Sequence, residues 1–202
     1  MYTLKQLEKE FLEIKDNCEG ALLSYKSKAL SMSKETVISK GALYNVRPYE
    51  IERAGFKPGR KLNKIPSNVK NTHIYHFDDT KKIIMVEIYG QSSNVINVEF
   101  YLYSDDYVKR IYFTSTGKLR NITVSSFNKD KRIEKDINWG EYGCSISDYQ
   151  YEGATLKMIT VQQKEHHDAE FSEYNVVFNY SNEKLLNITH IFPNGYHEQR
   201  FP

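Results

Sequence analysis

Little in this chain marks it as an enzyme, a secreted protein or a membrane protein. Two cysteines in 202 residues, Cys18 and Cys144, cannot make a disulfide framework, and they are expected as free thiols in a reducing compartment. No apolar run approaches the 18 residues a membrane helix needs. The opening MYTLKQLEKEF carries charges where a secretion signal requires an apolar stretch, so a cytoplasmic protein is expected. No Gly-x-Gly and no Gly-Lys-Ser/Thr occurs, which removes the usual glycine-rich phosphate loops. There is no Gly-x-Ser-x-Gly elbow, and neither cysteine has a flanking catalytic signature.

What the chain does have is tyrosine, 16 of them, against one tryptophan. Tyrosine favours half-buried pleated surface, and its apolar ring with a polar tip also suits wet recognition surfaces. The net charge of +2 hides an asymmetry. Residues 1–71 hold 14 Lys/Arg and 8 Asp/Glu, whereas residues 72–202 hold 14 and 18. The basic excess peaks between Arg53 and Lys70, where Lys57, Arg60, Lys61 and Lys64 meet no acid. Such a stretch suits an acidic partner or serves as a solvated loop. It includes Phe56 but no run of stacking aromatics, and the mild overall charge argues against nucleic acid.

Leu4, Leu7, Phe11, Ile14, Cys18, Leu22 and Tyr25 recur at three- and four-residue steps, the period of one helix face. Thr3 with Gln6 fits a capping box, so a helix is expected over about residues 4–30, bent near Asp16–Gly20. Ser33 is placed to cap a helical turn ending at Gly41. Pro48 is placed to open another, stopped by Gly55. From Thr72 the apolar period becomes two. Ile96, Val98, Phe100 and Leu102 alternate with Asn97, Glu99, Tyr101 and Tyr103, and similar runs continue to the C-terminus. Alternation against a polar face is the signature of an antiparallel sheet. Turn clusters such as Asp78-Asp79, Thr116-Gly117 and Asn194-Gly195 separate the runs.

The units resemble one another: an aromatic, a polar turn, then an apolar residue five or six positions on. Phe77/Ile83, Tyr103/Val108, Phe113/Leu119, Phe127/Ile133, Tyr151/Leu156 and Tyr180/Leu185 follow this pattern. The fold class that follows is α+β, mostly β. An N-terminal helical segment packs on a long curled antiparallel β-meander of about ten strands, in one domain over 1–202 (1–71 helical or irregular, 72–202 sheet). The helix is the only sizeable cover, so the sheet is expected to curl round it or bend into a half-barrel. The opposite face would then display Tyr89, Tyr101, Tyr103 and Tyr112.

Two clusters carry candidate chemistry. His166, His167, Asp168 and Glu170 have the side chains of a metal or proton-transfer site, yet adjacent histidines on a strand point apart and no third ligand follows by spacing. His73 and His76 meet the same difficulty. Trp139 and Tyr142, in a glycine-flanked loop, have the composition of an interface anchor or of a plug in the core. With Tyr89, Tyr101, Tyr103, Tyr112, Arg60 and Lys61 they make the candidate partner-binding set. No cofactor and no catalytic residue is expected.

The segments Phe113-Thr-Ser-Thr-Gly117-Lys-Leu119 and Tyr180-Ser-Asn-Glu-Lys-Leu185 resemble the aromatic–turn–Lys–Leu hairpin repeats of bacterial antitoxin and immunity proteins from polymorphic or contact-dependent toxin systems. The resemblance covers roughly residues 72–196. It implies a cytoplasmic, non-enzymatic protein that binds a cognate toxin domain tightly. The near-neutral charge departs from the acidity common among nuclease inhibitors of that kind. A metal-dependent enzyme built on the His166/His167/Glu170 loop and a self-associating structural module are the alternatives.

Overall fold

The computed structural model describes residues 2–202. A capping box does open the chain: Gln6 N donates to Thr3 Oγ1 at 3.2 Å, and Thr3 N donates to Gln6 Oε1 at 2.9 Å. The helix α1 (Leu4–Asp16) ends at Asn17, whose non-helical φ of −127° and ψ of 51° make the expected bend, and α2 (Cys18–Met32) follows. Among the described residues, neither these nor any other helix is long and apolar enough to cross a membrane.

The remaining elements are β1 (Glu35–Lys40), α3 (Glu50–Arg53), β2 (Arg60–Leu62), β3 (Thr72–Phe77), β4 (Ile83–Tyr89), β5 (Ile96–Tyr103), β6 (Tyr107–Phe113), β7 (Leu119–Phe127), β8 (Ile133–Gly140), β9 (Cys144–Glu152), β10 (Thr155–Lys164), β11 (Ser172–Ser181), β12 (Lys184–Ile191) and β13 (His197–Phe201). The thirteen strands of the described residues form one antiparallel sheet. From β3 to β13 each strand pairs with its sequence neighbours; β1 lies beside β3, with β2 outside it at the edge. The eleven strands from Thr72 onward match the count of about ten read from the sequence there, and β1 and β2 add two that begin the sheet earlier. The segment expected to hold a helical turn from Ser33 to Gly41 is instead β1, and Pro48 stands before α3 rather than inside it. Thr36, Val37, Ile38 and Ser39 are β-branched or small, and pairing with β3 overrides the weak capping signal.

The sequence repeat has a simple structural meaning. All six aromatic/aliphatic pairs are cross-strand register partners: Phe77↔Ile83, Tyr103↔Val108, Phe113↔Leu119, Phe127↔Ile133, Tyr151↔Leu156 and Tyr180↔Leu185. Each pair closes one hairpin, where contact between an aromatic and an aliphatic side chain helps pin the register. Several turns share one backbone form. In Asp78–Lys82, Thr114–Lys118, Asn128–Arg132 and Phe192–Tyr196 the first residue donates to the fifth and receives from the fourth. That fourth residue, Lys81, Gly117, Lys131 or Gly195, is left-handed, as three-residue hairpin loops require.

The two faces of the sheet are covered by different parts of the chain. On β5, Val98 and Phe100 join Leu7, Phe11 and Ala29 of the helices in the main core. Tyr101, pointing the other way, packs with Val37, Tyr75, Val86 and Val108 and with Leu43 and Val46 of the β1–β2 connection. That connection, residues 41–59, crosses the whole inner face. Val46 touches the cluster on β1 and β3–β6, while Tyr49 stacks near Phe178 of β11 at a centroid distance of 5.4 Å. Gly55 lies against Arg200 O of β13, while its neighbours Ala54 and Phe56 line a pocket with His73 of β3; β3 and β13 of a flat sheet would stand about 48 Å apart. The sheet therefore curls around residues 41–57. This corrects the expectation that it would curl around the N-terminal helix: α1 and α2 lie on the outer face.

Candidate functional site

The register brings one end of every strand to a common rim. It gathers the C-terminal ends of β1, β4, β6, β8, β10 and β12 and the N-terminal ends of β2, β3, β5, β7, β9, β11 and β13. Of the residues singled out in the sequence, Arg60, Lys61, Tyr89, Tyr112, Trp139 and Tyr142 all belong to this rim. So do His166, His167, Asp168 and Glu170, in the β10–β11 loop. Tyr103 lies at the opposite end.

The aromatic part of the rim is held by packing. His167 stacks on Trp139 with centroids 4.4 Å apart and planes at 19°, and its Nε2 lies 3.0 Å from Gly140 O. Trp139 is partly buried against the main core, which answers its two sequence readings with a mixture: the ring plugs the core's end and supports the loop. Tyr142 beside it is 69% exposed, and Phe171, under the ammonium of Lys164 at 5.0 Å, is 44% exposed. Gly143 lets the β8–β9 turn pass against the backbone of Lys164 and Glu165, where any Cβ would clash. Among the described residues no three His, Cys, Asp or Glu side chains gather closely enough to hold a metal ion, so His166, His167, Asp168 and Glu170 share a loop without converging.

Tyr101 is not displayed. Its exposure is 6%, because residues 41–57 lie over it, and its hydroxyl donates to Glu99 Oε2 at 2.6 Å. The picture of a tyrosine-studded open face is corrected accordingly. Tyr89, Tyr103 and Tyr112 are half-buried. Burial and then the nearby Asp78 carboxylate push the Tyr103 hydroxyl up to about 12.

Beneath residues 41–57 lies an ionic network for which the sequence carried no spacing signal. Arg110 Nη1 reaches Glu50 Oε1 at 3.1 Å and Glu99 Oε1 at 3.4 Å. Arg47 pairs with Glu50 and reaches Asp136, which also accepts from the Tyr149 hydroxyl. Burial pushes the Glu50 carboxyl up, but Arg47 and Arg110 outweigh it and hold it at about 2. Glu99, Arg110 and Asp136 lie on strands whose alternation marks them as the polar face, Arg47 and Glu50 on the crossing segment, and only that segment turns the face inward.

Beside the network is a pocket of about 310 Å³ between residues 41–57 and strands β3–β6. Its lining holds Glu50, Glu99 and Arg110 with Tyr44, His73 and Tyr75; the register sets His73 nearest the rim, Tyr75 and Glu99 level with each other, and Arg110 deepest, where Glu50 meets it. Tyr44 meets Tyr75 edge-on at 5.0 Å, and His73 stacks on Tyr75 at 6.0 Å. Burial lowers the His73 imidazole to about 4, so it is neutral at pH 7. The pocket's outer lining, Gly41, Lys57 and Asn71, lies at the same rim. No protein-family model matches this sequence, and no curated protein matches it either.

Proposed function

We propose that this chain is a non-enzymatic protein-binding module, most concretely a cytoplasmic immunity protein that neutralises a cognate bacterial toxin domain by tight binding. The observation that carries the reading is the convergence of Trp139, Tyr142 and Phe171 with the rigid strand ends of one rim. Binding energy concentrates on aromatic side chains held in place beforehand, because less rotamer freedom is lost on association. The His167 stack and the core under Trp139 supply that support, and Tyr142 and Phe171 present their rings to solvent. The hairpin repeat of the sheet is the second support, through its likeness to immunity proteins.

The test is affinity capture from the source cell with the tagged chain, in parallel with a Tyr142→Ala/Phe171→Ala variant. A single protein partner retained by the parent and lost by the variant, with the melting temperature unchanged, is the expected result. Capture of no protein partner by the parent under native conditions overturns the reading.

A further inference from the structure

The pocket under residues 41–57 sorts its chemistry by depth. Deeper than His73, two carboxylates, Glu50 and Glu99, share Arg110, and each keeps lone pairs able to accept from an N–H donor. The walls are flat rings, Tyr44, His73 and Tyr75, with Val86 and Ile88 filling between them. Rings in such an arrangement favour a planar guest in offset or edge contact. At the rim stands Lys57, exposed, with Arg60 and Lys61 on the edge strand β2 and Lys64 and Lys70 in the following loop. None of these five cations makes an ion pair with any described residue. Gly59 binds this basic segment to the pocket's lip, donating its N–H to Ala42 O at 2.6 Å. Two polar atoms of the lining, His73 Nδ1 and Arg110 Nε, have no hydrogen-bond partner among the described residues. The volume falls at the small end of the range for ligand sites, and the lining is mostly apolar with a few convergent polar groups.

We propose that this pocket binds a small molecule joining a flat, amine-bearing ring to an anionic group, the chemistry of a nucleoside monophosphate. The ring lies between Tyr44, His73 and Tyr75, its amine donates to Glu50 or Glu99, and the anion remains at the rim with Lys57 and its basic neighbours. Deep in the pocket Arg47 and Arg110 balance the two glutamates, whereas the rim cations are unpaired among the described residues, so it is the rim that draws the anionic end and sets the ligand's orientation. The inference stands apart from the protein-binding reading, since Tyr142 and Phe171 are not among the pocket's residues.

Calorimetric titration of the intact chain with AMP, CMP, GMP and UMP, one at a time, tests it. At least one of the three amine-bearing nucleotides is expected to bind saturably, with UMP at least tenfold weaker, and to move the His73 imidazole resonances. Lys57→Glu, a change at an exposed side chain, is expected to weaken that binding about tenfold, and Ile88→Trp, which fills the pocket, to abolish it. No heat from any of the four, UMP bound as tightly as the rest, or binding unaltered by Lys57→Glu would each overturn the proposal. Partner capture through Tyr142 and Phe171 is unaffected by these outcomes, so the two readings can fail separately.

Discussion

Lys109 and Arg110, adjacent on β6, bind opposite sides of the molecule to the sheet. Lys109 Nζ donates to Glu10 of α1 at 2.6 and 2.8 Å and to the Tyr2 hydroxyl at 2.9 Å on the outer face. Arg110 reaches Glu50 of the crossing segment at 3.1 Å on the inner face. One peptide unit therefore ties the helices and the filling of the curl to the same strand.

The outer pair predicts an unequal response to its two halves. Lys109 exposes 9% of its side chain, so Glu10→Ala strands a largely buried ammonium and is expected to cost about 2–3 kcal/mol, somewhat below fully buried pairs because Glu10 is itself 23% exposed. Lys109→Met removes the charge along with its partner's need for it and is expected to cost less than Glu10→Ala. Urea unfolding of both variants checks the order; a larger loss in Lys109→Met would contradict it.

A second expectation concerns pH. The folded His73 imidazole, lowered to about 4 by burial, resists protonation that the unfolded chain accepts near 6.5. Stability is then level above pH 6.5 and falls as pH drops from 6.5 to 4, by about 3 kcal/mol in total. The Glu50 carboxyl, at about 2, adds a further loss below its ordinary value of 4.5. His73→Phe is expected to reduce the slope between 6.5 and 4, the His190 imidazole, also lowered by burial, keeping part of it, while leaving the lower segment. Denaturation midpoints taken at half-unit pH steps read this directly.

The repeated turn makes a prediction about backbone alone. Gly117 has a φ of +76°, and an added Cβ would meet nothing closer than Leu22 at 3.7 Å. Gly117→Ala is thus expected to destabilise by about 1 kcal/mol through left-handed strain and not through a clash. Thermal melts would show a similar loss for Gly153→Ala, whose φ is +58° in open space.

The stack at the rim can be watched through the sole tryptophan. His167→Ala removes the ring 4.4 Å from Trp139, and the emission intensity and wavelength are expected to change while global stability moves by less than about 1 kcal/mol. Fluorescence spectra unchanged from the parent would place His167 elsewhere in solution.

How legible all this was depends on range. The period-two rhythm from Thr72, the capping box at Thr3, the break near Asn17 and the hairpin turns are properties of a few neighbouring residues, and each appears where the sequence put it. The six aromatic/aliphatic pairs were visible as a repeat before their register was known. At the rim, Trp139 and Tyr142 were chosen for composition, and the meander placed them with His167. The pocket escaped notice because Glu50, His73, Glu99 and Arg110 are far apart in the chain and each reads as an ordinary polar residue of a loop or strand.

The sequence by itself determined the local conformations and the antiparallel order of the meander, since hydrophobic period, capping and turn stereochemistry act within one or two hairpins. Only the tertiary structure decided which face became the interior. A sheet with apolar residues on one side and tyrosines and charges on the other can curl either way. Here the connection between β1 and β2 brings Arg47 and Glu50 to Asp136 and Arg110, pairing charges that would be costly to bury alone, and the sheet closes over them.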